Sequence, residues 1–297
     1  MTDLGVCGFA DEAQPASRLA ASLGAPFAPL TVHRFPDGET MPIAPPPAAA
    51  TTVVYRSLDR PNEKLVDLLL AADALRRAGA PRLILVAPYF CYLRQDQVFA
   101  PGEPLSRDVI APLVGARFDG VVTVQAHLHR TPDLARALQT RAVNLWAVEP
   151  LAAALGPYAT PPLVIGPDEE SSAWAQAWAR RLGGQSVSLS KTRQGDRSVT
   201  LDGSTPIAAA DRPVVIIDDI ASSGETLAKT TALARDAGAL SIDVAIVHAL
   251  LDAGAAERLI GLGARRIVST DSVQHPTNAA ELAPILADAV REMIASA

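Results

Sequence analysis

The sequence holds only two cysteines, Cys7 and Cys91. That excludes a disulfide framework, and no zinc-type spacing is present. Both lie in or beside apolar segments and read as core thiols. An excess of positive charge is also missing. The formal net charge of -6 leaves no footprint for nucleic acid, although a small phosphorylated ligand needs only a local positive site. No 18-residue apolar stretch free of charge and proline occurs, so no membrane-spanning helix is expected. The opening MTDLGVCGFADEAQ has neither the basic region nor the apolar run of a signal peptide, and the expectation is a cytoplasmic protein. What remains is 49% hydrophobic and 20% charged over 297 residues. That composition suits a packed chain long enough for one large α/β domain or two ordinary ones.

Short β-like runs alternate with helical patterns. TTVVYRS reads as a strand, and PNEKLVDLLLAADALRRAG as a helix with Leu65, Leu68, Leu69, Ala72 and Leu75 on one face. Asn62 is expected to cap that helix and Gly79 to end it. PRLILVAPYF and DGVVTVQAH are further strands, while MPIAPPPAAA reads as an internal loop. The second half repeats the rhythm, with strands at PPLVIG, GQSVSLS, DRPVVIIDDI, SIDVAIVHA and ARRIVST and a closing amphipathic helix. Parallel strands with helical crossovers produce such a series. A boundary between two domains is expected around residues 147–162.

The most informative stretch is VVIIDDIASSGETL, Val214 to Leu227. In an open parallel sheet, ligands bind beyond the carboxyl ends of the strands. Here Asp218 and Asp219 close an apolar run, and Ser222, Ser223, Gly224 and Thr226 lead into a helix. Gly224 tolerates backbone shapes closed to other residues, and amides at a helix amino end favour a phosphate. No Walker pattern and no glycine-rich dinucleotide fingerprint occurs. Carboxylates repel a phosphate, so the pair suits hydroxyls or a magnesium ion. A phosphate and vicinal hydroxyls together describe a sugar phosphate. The plainer alternative is a solvated turn with a capping serine.

This stretch resembles the phosphoribosyl diphosphate loop shared by type I phosphoribosyltransferases and ribose-phosphate diphosphokinases. HRFPDGET, PYFCYLRQDQVFAPGEPLSRDVIAPLV, VVTVQAHLHR and STDSVQHPTN resemble the diphosphokinases in order and spacing, over nearly the whole chain. The resemblance implies an α/β fold of two phosphoribosyltransferase-like (type I) domains, each with a mainly parallel sheet flanked by helices. Residues 1–147 would form the ATP side. Residues 148–297 would form the ribose 5-phosphate side, with a final helix at about 279–297 returning to the first domain. The implied reaction moves the diphosphoryl group of Mg-ATP to O1 of ribose 5-phosphate, giving AMP and phosphoribosyl diphosphate. Charge on phosphoryl oxygens then calls for cations and magnesium.

By the same resemblance, Asp218 and Asp219 hold the ribose hydroxyls, and Ala221, Ser222, Ser223, Gly224, Glu225 and Thr226 the 5-phosphate. Arg94, Gln95 and Asp96 belong to the ATP site, where the fork of Arg94 suits paired phosphate oxygens. Phe35 stacks on adenine, with Asp37 or Glu39 accepting from its exocyclic amine. Read alone, RFPDGE is a turn. His127 and Asp168 are matched to magnesium. In a strand, His127 and His129 would share one face, but no third ligand completes a zinc site. Asp168 alternatively caps the next helix. Lys191 and Arg193, with Arg197 nearby, match a mobile arm that closes over the transferring group; read alone, that segment is an exposed flap or hairpin.

The chain departs from the family pattern at three places. Gln125 stands where an acidic residue is usual. Glu169 and Glu170 follow Asp168 where a glycine-rich loop is commoner. The segment after the histidines is short, which removes the ground for expecting the family's hexamer and its allosteric control; a dimer is the minimum homo-oligomer expected, because the family forms the adenine pocket partly from a neighbouring subunit. A phosphoribosyltransferase acting on a base, and a non-catalytic regulatory relative, remain the alternatives.

Overall fold

The computed structural model describes residues 4–45, 49–98, 100–128, 133–166, 168, 171–189, 191–194, 198–201 and 207–296. The chain divides into two compact units, Met1–Trp146 with Leu282–Ala297, and Ala147–Glu281.

The first unit runs β1 (Leu4–Phe9), α1 (Ala13–Leu23), β2 (Phe27–Arg34), β3 (Thr40–Ile43), β4 (Thr51–Tyr55), α2 (Pro61–Arg77), β5 (Arg82–Val86), α3 (Ser106–Gly115), β6 (Gly120–Val124), α4 (Leu134–Leu138) and β7 (Ala142–Leu145). Its sheet has the order β3-β2-β1-β4-β5-β6-β7. All pairs are parallel except β2 with β3. Helices on both faces bury the inner strands completely, which is why Val53, Val54 and Leu83 to Val86 form continuous apolar runs.

The second unit runs α5 (Val148–Leu155), β8 (Leu163–Gly166), α6 (Ser172–Leu182), β9 (Gln185–Ser188), β10 (Lys191–Gln194), β11 (Ser198–Leu201), β12 (Pro213–Ala221), α7 (Glu225–Asp236), β13 (Ser241–Ala249), α8 (Ala253–Gly261), β14 (Ala264–Thr270) and β15 (Asn278–Ala280). Its parallel sheet has the order β15-β14-β13-β12-β8-β9, and β10 and β11 form a separate antiparallel pair. The closing helix α9 (Ala283–Ala295) belongs to the first unit. It packs on α1 and β6. Arg82 donates to the Met293 carbonyl at 2.8 Å, and Arg291 to that of Ser22.

Both sheets contain a reversal of strand order, between β1 and β4 in the first unit and between β8 and β12 in the second. Ligands of open α/β sheets bind at the carboxyl ends beside such a reversal. Each unit therefore offers one such place.

Three local expectations are corrected. Met41 to Ile43 is not loop but part of β3, paired antiparallel with β2; a short edge strand carries too little alternation to reveal itself. Asn62 does not cap α2. The cap position is Arg60, left-handed at φ 49, and Pro61 takes the first turn, where its missing N–H costs nothing. The Asn62 side chain instead accepts the Tyr92 hydroxyl. Gly79 does follow the helix end, at φ 94. Finally, β6 ends at Val124 and Gln125 turns left-handed at φ 44. His127 thus lies beyond the strand, and no strand alternation relates it to His129, which is outside the described residues.

Candidate active site

In the second unit, β12 is buried from Pro213 to Asp218. The two aspartates lie within the strand, not past its end. Asp218 is 9% exposed and Asp219 half-buried. Asp219 Oδ1 accepts the Ile220 N–H at 2.9 Å. Ala221 ends the strand, and its carbonyl accepts the Leu250 N–H at 2.9 Å. Ser222 and Ser223 are exposed, and Ser223 Oγ accepts the Glu225 N–H at 3.4 Å. Gly224, at φ 71, caps α7. A Cβ there would lie 3.1 Å from Leu251 and 3.3 Å from Ala255, so both torsion and space call for glycine. Glu225 and Thr226 open the 12-residue helix, whose amino end carries the positive end of its dipole. Buried carboxylate, tight turn and helix amino end thus follow within nine residues, Asp218 to Thr226.

Across the reversal, Asp168 lies two residues beyond β8. Its Oδ1 accepts the Ser171 N–H at 3.0 Å, so one oxygen supports the turn before α6, whose own cap position is Ser171 with no side-chain cap bond. Gly166 is required by the same turn, since a Cβ would stand 2.3 Å from Ser171 Oγ. Glu169 and Glu170 lie outside the described residues. Lys191 and Arg193 lie on β10, which pairs antiparallel with β11. Their side chains, and all of Arg197, are likewise outside the described residues.

In the first unit, RFPDGE is the tip joining β2 to β3. Phe35 N–H donates to the Glu39 carbonyl at 2.9 Å, and Asp37 accepts the Glu39 N–H at 3.1 Å. The tip is exposed, and Phe35 itself is 39% exposed, edge-on to His33 at 4.5 Å. It is therefore a turn that presents an aromatic ring. Beyond β5, Arg94 and Gln95 are exposed and Asp96 is buried. Gln95 is partly committed: its side chain accepts from Ser106 and its carbonyl from Arg107 N–H. Non-glycine residues at positive φ follow β4, β5 and β6 in turn, namely Arg60, Tyr92 and Gln125. Such backbone is uncommon and gathers at functional edges. His127 is half-buried just past the last of them.

The reversal between β1 and β4 is filled by a network that no sequence motif marks. Arg56 donates to Asp11 at 2.6 Å and Glu12 at 3.2 Å, and its guanidinium lies 4.2 Å above the Phe9 ring. Lys64 reaches Glu12 at 2.9 Å, Asp59 at 2.6 Å and the Ser57 carbonyl at 2.9 Å. Glu12 also accepts the Ser57 N–H at 3.2 Å. Burial pushes the Glu12 carboxyl above its ordinary range, against the pull of Lys64 and Arg56. Burial also raises the Cys7 thiol to about 11 and Cys91 to about 12, so both stay protonated and inert.

Among the described residues, no group of three or more His, Cys, Asp or Glu could hold a metal. Magnesium bound with phosphates and waters takes only one or two protein carboxylates, and the oxygen donors of Asp168, Asp218 and Asp219 fit that chemistry. One concavity of about 600 Å³, lined by Leu163, Arg180, Gln185 and Ala208 among others, holds none of the candidate groups.

Comparison with known proteins gives the family. Residues 6–116 match the N-terminal domain of ribose phosphate pyrophosphokinase, and residues 147–278 match the phosphoribosyl transferase domain. A solved phosphoribosylpyrophosphate synthetase from Mycobacterium smegmatis superposes with a TM-score of 0.84 over 100% of both chains at 24% identity, a likeness of fold. The class is thus a protein of two phosphoribosyltransferase-like α/β domains. The ribose-phosphate pyrophosphokinase of Methanopyrus kandleri is 36% identical over 279 residues, covering 93% of this chain and 94% of that protein. The Halobacterium salinarum protein of the same name is 31% identical, covering 93% and 96%. The chain belongs to the ribose-phosphate pyrophosphokinase family.

Proposed function

We propose that the chain transfers the diphosphoryl group of ATP to O1 of ribose 5-phosphate, giving phosphoribosyl diphosphate and AMP. The observation that carries this reading is the carboxyl edge of β12. There a buried and a half-buried carboxylate precede a left-handed glycine and a helix amino end, in a chain of this family.

Asp218 and Asp219 accept from the ribose hydroxyls and so orient O1. The amides and hydroxyls of Ala221, Ser222, Ser223, Gly224, Glu225 and Thr226 hold the 5-phosphate. O1 attacks the β-phosphorus and gives up its hydroxyl proton to solvent, the bond from that phosphorus to the α–β bridging oxygen breaks, and AMP leaves. Lys191 and Arg193 meet the negative charge of the group in transit. Arg94 pairs phosphate oxygens of ATP, beside Gln95 and Asp96. Phe35 stacks on adenine while Asp37 or Glu39 accepts from its amine. His127 and Asp168 are the residues assigned to magnesium, which when bound neutralises phosphoryl charge. Residues 1–147 serve ATP and residues 148–297 ribose 5-phosphate. The exposed Phe35 hairpin supports a homodimer at least, in which the tip completes a neighbour's adenine pocket.

The test supplies the purified chain with ATP, ribose 5-phosphate and magnesium and follows AMP and phosphoribosyl diphosphate by chromatography. Equal formation of both products is expected. No product over a range of metal and phosphate concentrations would sink the reading.

A further inference from the structure

The loop between β12 and α7 is held from outside by a residue that none of the sequence motifs contains. Arg258, on α8, donates from Nη2 to the Ser223 carbonyl at 2.9 Å. Helical side chains lean toward the amino end of their helix, and this one does so. Its Nη1 lies 3.6 Å from where a Cβ on Gly254, one turn earlier, would stand. Asp252 anchors that end of α8 by accepting the Ala255 N–H at 2.6 Å. Arg258 is exposed, so packing of the core gives no reason for its choice of a loop carbonyl over water.

The geometry of a peptide gives that choice a consequence. A trans peptide is planar, with its C=O and N–H pointing opposite ways. A Ser223 carbonyl held toward α8 turns the Gly224 N–H to the other side of the loop. Two further contacts act from the same direction. The Ala221 carbonyl accepts the Leu250 N–H at 2.9 Å, and the Cα of Gly224 faces Leu251 and Ala255. The segment Leu250–Arg258 thus grips one side of the loop at Ala221, Ser223 and Gly224.

We propose that Arg258 is a positioning residue for the phosphate ester of the sugar substrate. It fixes the Ser223–Gly224 peptide so that an N–H, not a carbonyl oxygen, meets the anion. It also brings a full positive charge behind the loop. This rests on the reading of Ala221 to Thr226 as the 5-phosphate site and extends it to a residue on a separate helix.

The test measures ribose 5-phosphate binding calorimetrically for wild type, R258A and R258K, with steady-state kinetics and melting temperature beside it. For R258A the Kd and KM for ribose 5-phosphate should rise about tenfold, the weight of one charge-assisted hydrogen bond. Its KM for ATP, its kcat at saturating sugar and its melting temperature should stay close to wild type. Millimolar guanidinium should restore binding to R258A, and R258K, which keeps a donor and the charge, should lose about threefold or less. Wild-type binding matched by R258A would overturn the assignment alone. So would a loss shared by both substrates, with a lowered melting temperature and no guanidinium rescue. Failure of the wild-type chain to bind ribose 5-phosphate would overturn the functional reading itself, and the assignment with it.

Discussion

The two units treat the same topological position in opposite ways. In the first, the reversal between β1 and β4 is closed by Asp11, Glu12, Arg56, Asp59 and Lys64, which satisfy one another. In effect the Glu12 carboxylate, held by a backbone N–H, a lysine and an arginine, sits where an anionic ligand would. In the second unit an ion network around a buried carboxylate lies at the other end of the sheet. Asp243, near the start of β13, is held by Arg265 at 2.5 Å, Arg266 at 3.1 Å and Tyr158 at 2.5 Å. That leaves the carboxyl edge to Asp218, Asp219 and the loop. Topology alone names two candidate sites; the side chains decide between them.

The comparison breaks most readily at Lys64. K64M removes a buried cation from between Glu12 and Asp59, leaving Asp59 without its lysine and Glu12 with Arg56 and the Ser57 N–H. It should destabilise the chain by about 3–5 kcal/mol, read as a fall in urea midpoint, while the activity of the remaining folded molecules is kept. D219N should do the reverse. Diphosphoryl transfer should fall at least about 100-fold, roughly 2.7 kcal/mol, with the melting temperature little changed. A D219N enzyme of full activity would return the first unit to contention. G224A should show both effects in smaller measure, costing about 1–2 kcal/mol of stability for its left-handed backbone and raising the KM for ribose 5-phosphate. The smallest effect is one of pH. Burial alone would raise the Asp243 carboxyl, but the hydrogen bonds from Arg265, Arg266 and Tyr158 and the charge of Arg266 hold it below its ordinary value. Its contribution to stability is therefore present above pH 3.8 and is lost as pH falls through the depressed value. The stability difference between wild type and D243N should be constant at pH 5–7 and shrink at the acid end.

Much of this was legible because it is periodic or contiguous. The apolar face of α2, with Leu65, Leu68, Ala72 and Leu75 buried, follows from helical spacing. The nine residues from Asp218 to Thr226 carry their chemistry in one run. What escaped depends on partners distant in sequence. Glu12 meets Lys64 across 52 residues, and Arg258 meets Ser223 across 35; no local pattern marks either. Asn62 misled because a capping residue is recognised by type, whereas Pro61 had already set the start of the helix and Tyr92 had claimed the amide. His127 misled because alternation was carried past Gln125, whose left-handed backbone ends the strand.

Under the proposed function, ribose 5-phosphate enters at the end of β12 and not at the end of β4. Hydrogen–deuterium exchange, followed peptide by peptide with and without saturating ribose 5-phosphate, tests it most directly. Slowed exchange across residues 218–226 is expected, with residues 56–64 unchanged. Protection confined to residues 56–64 would contradict it.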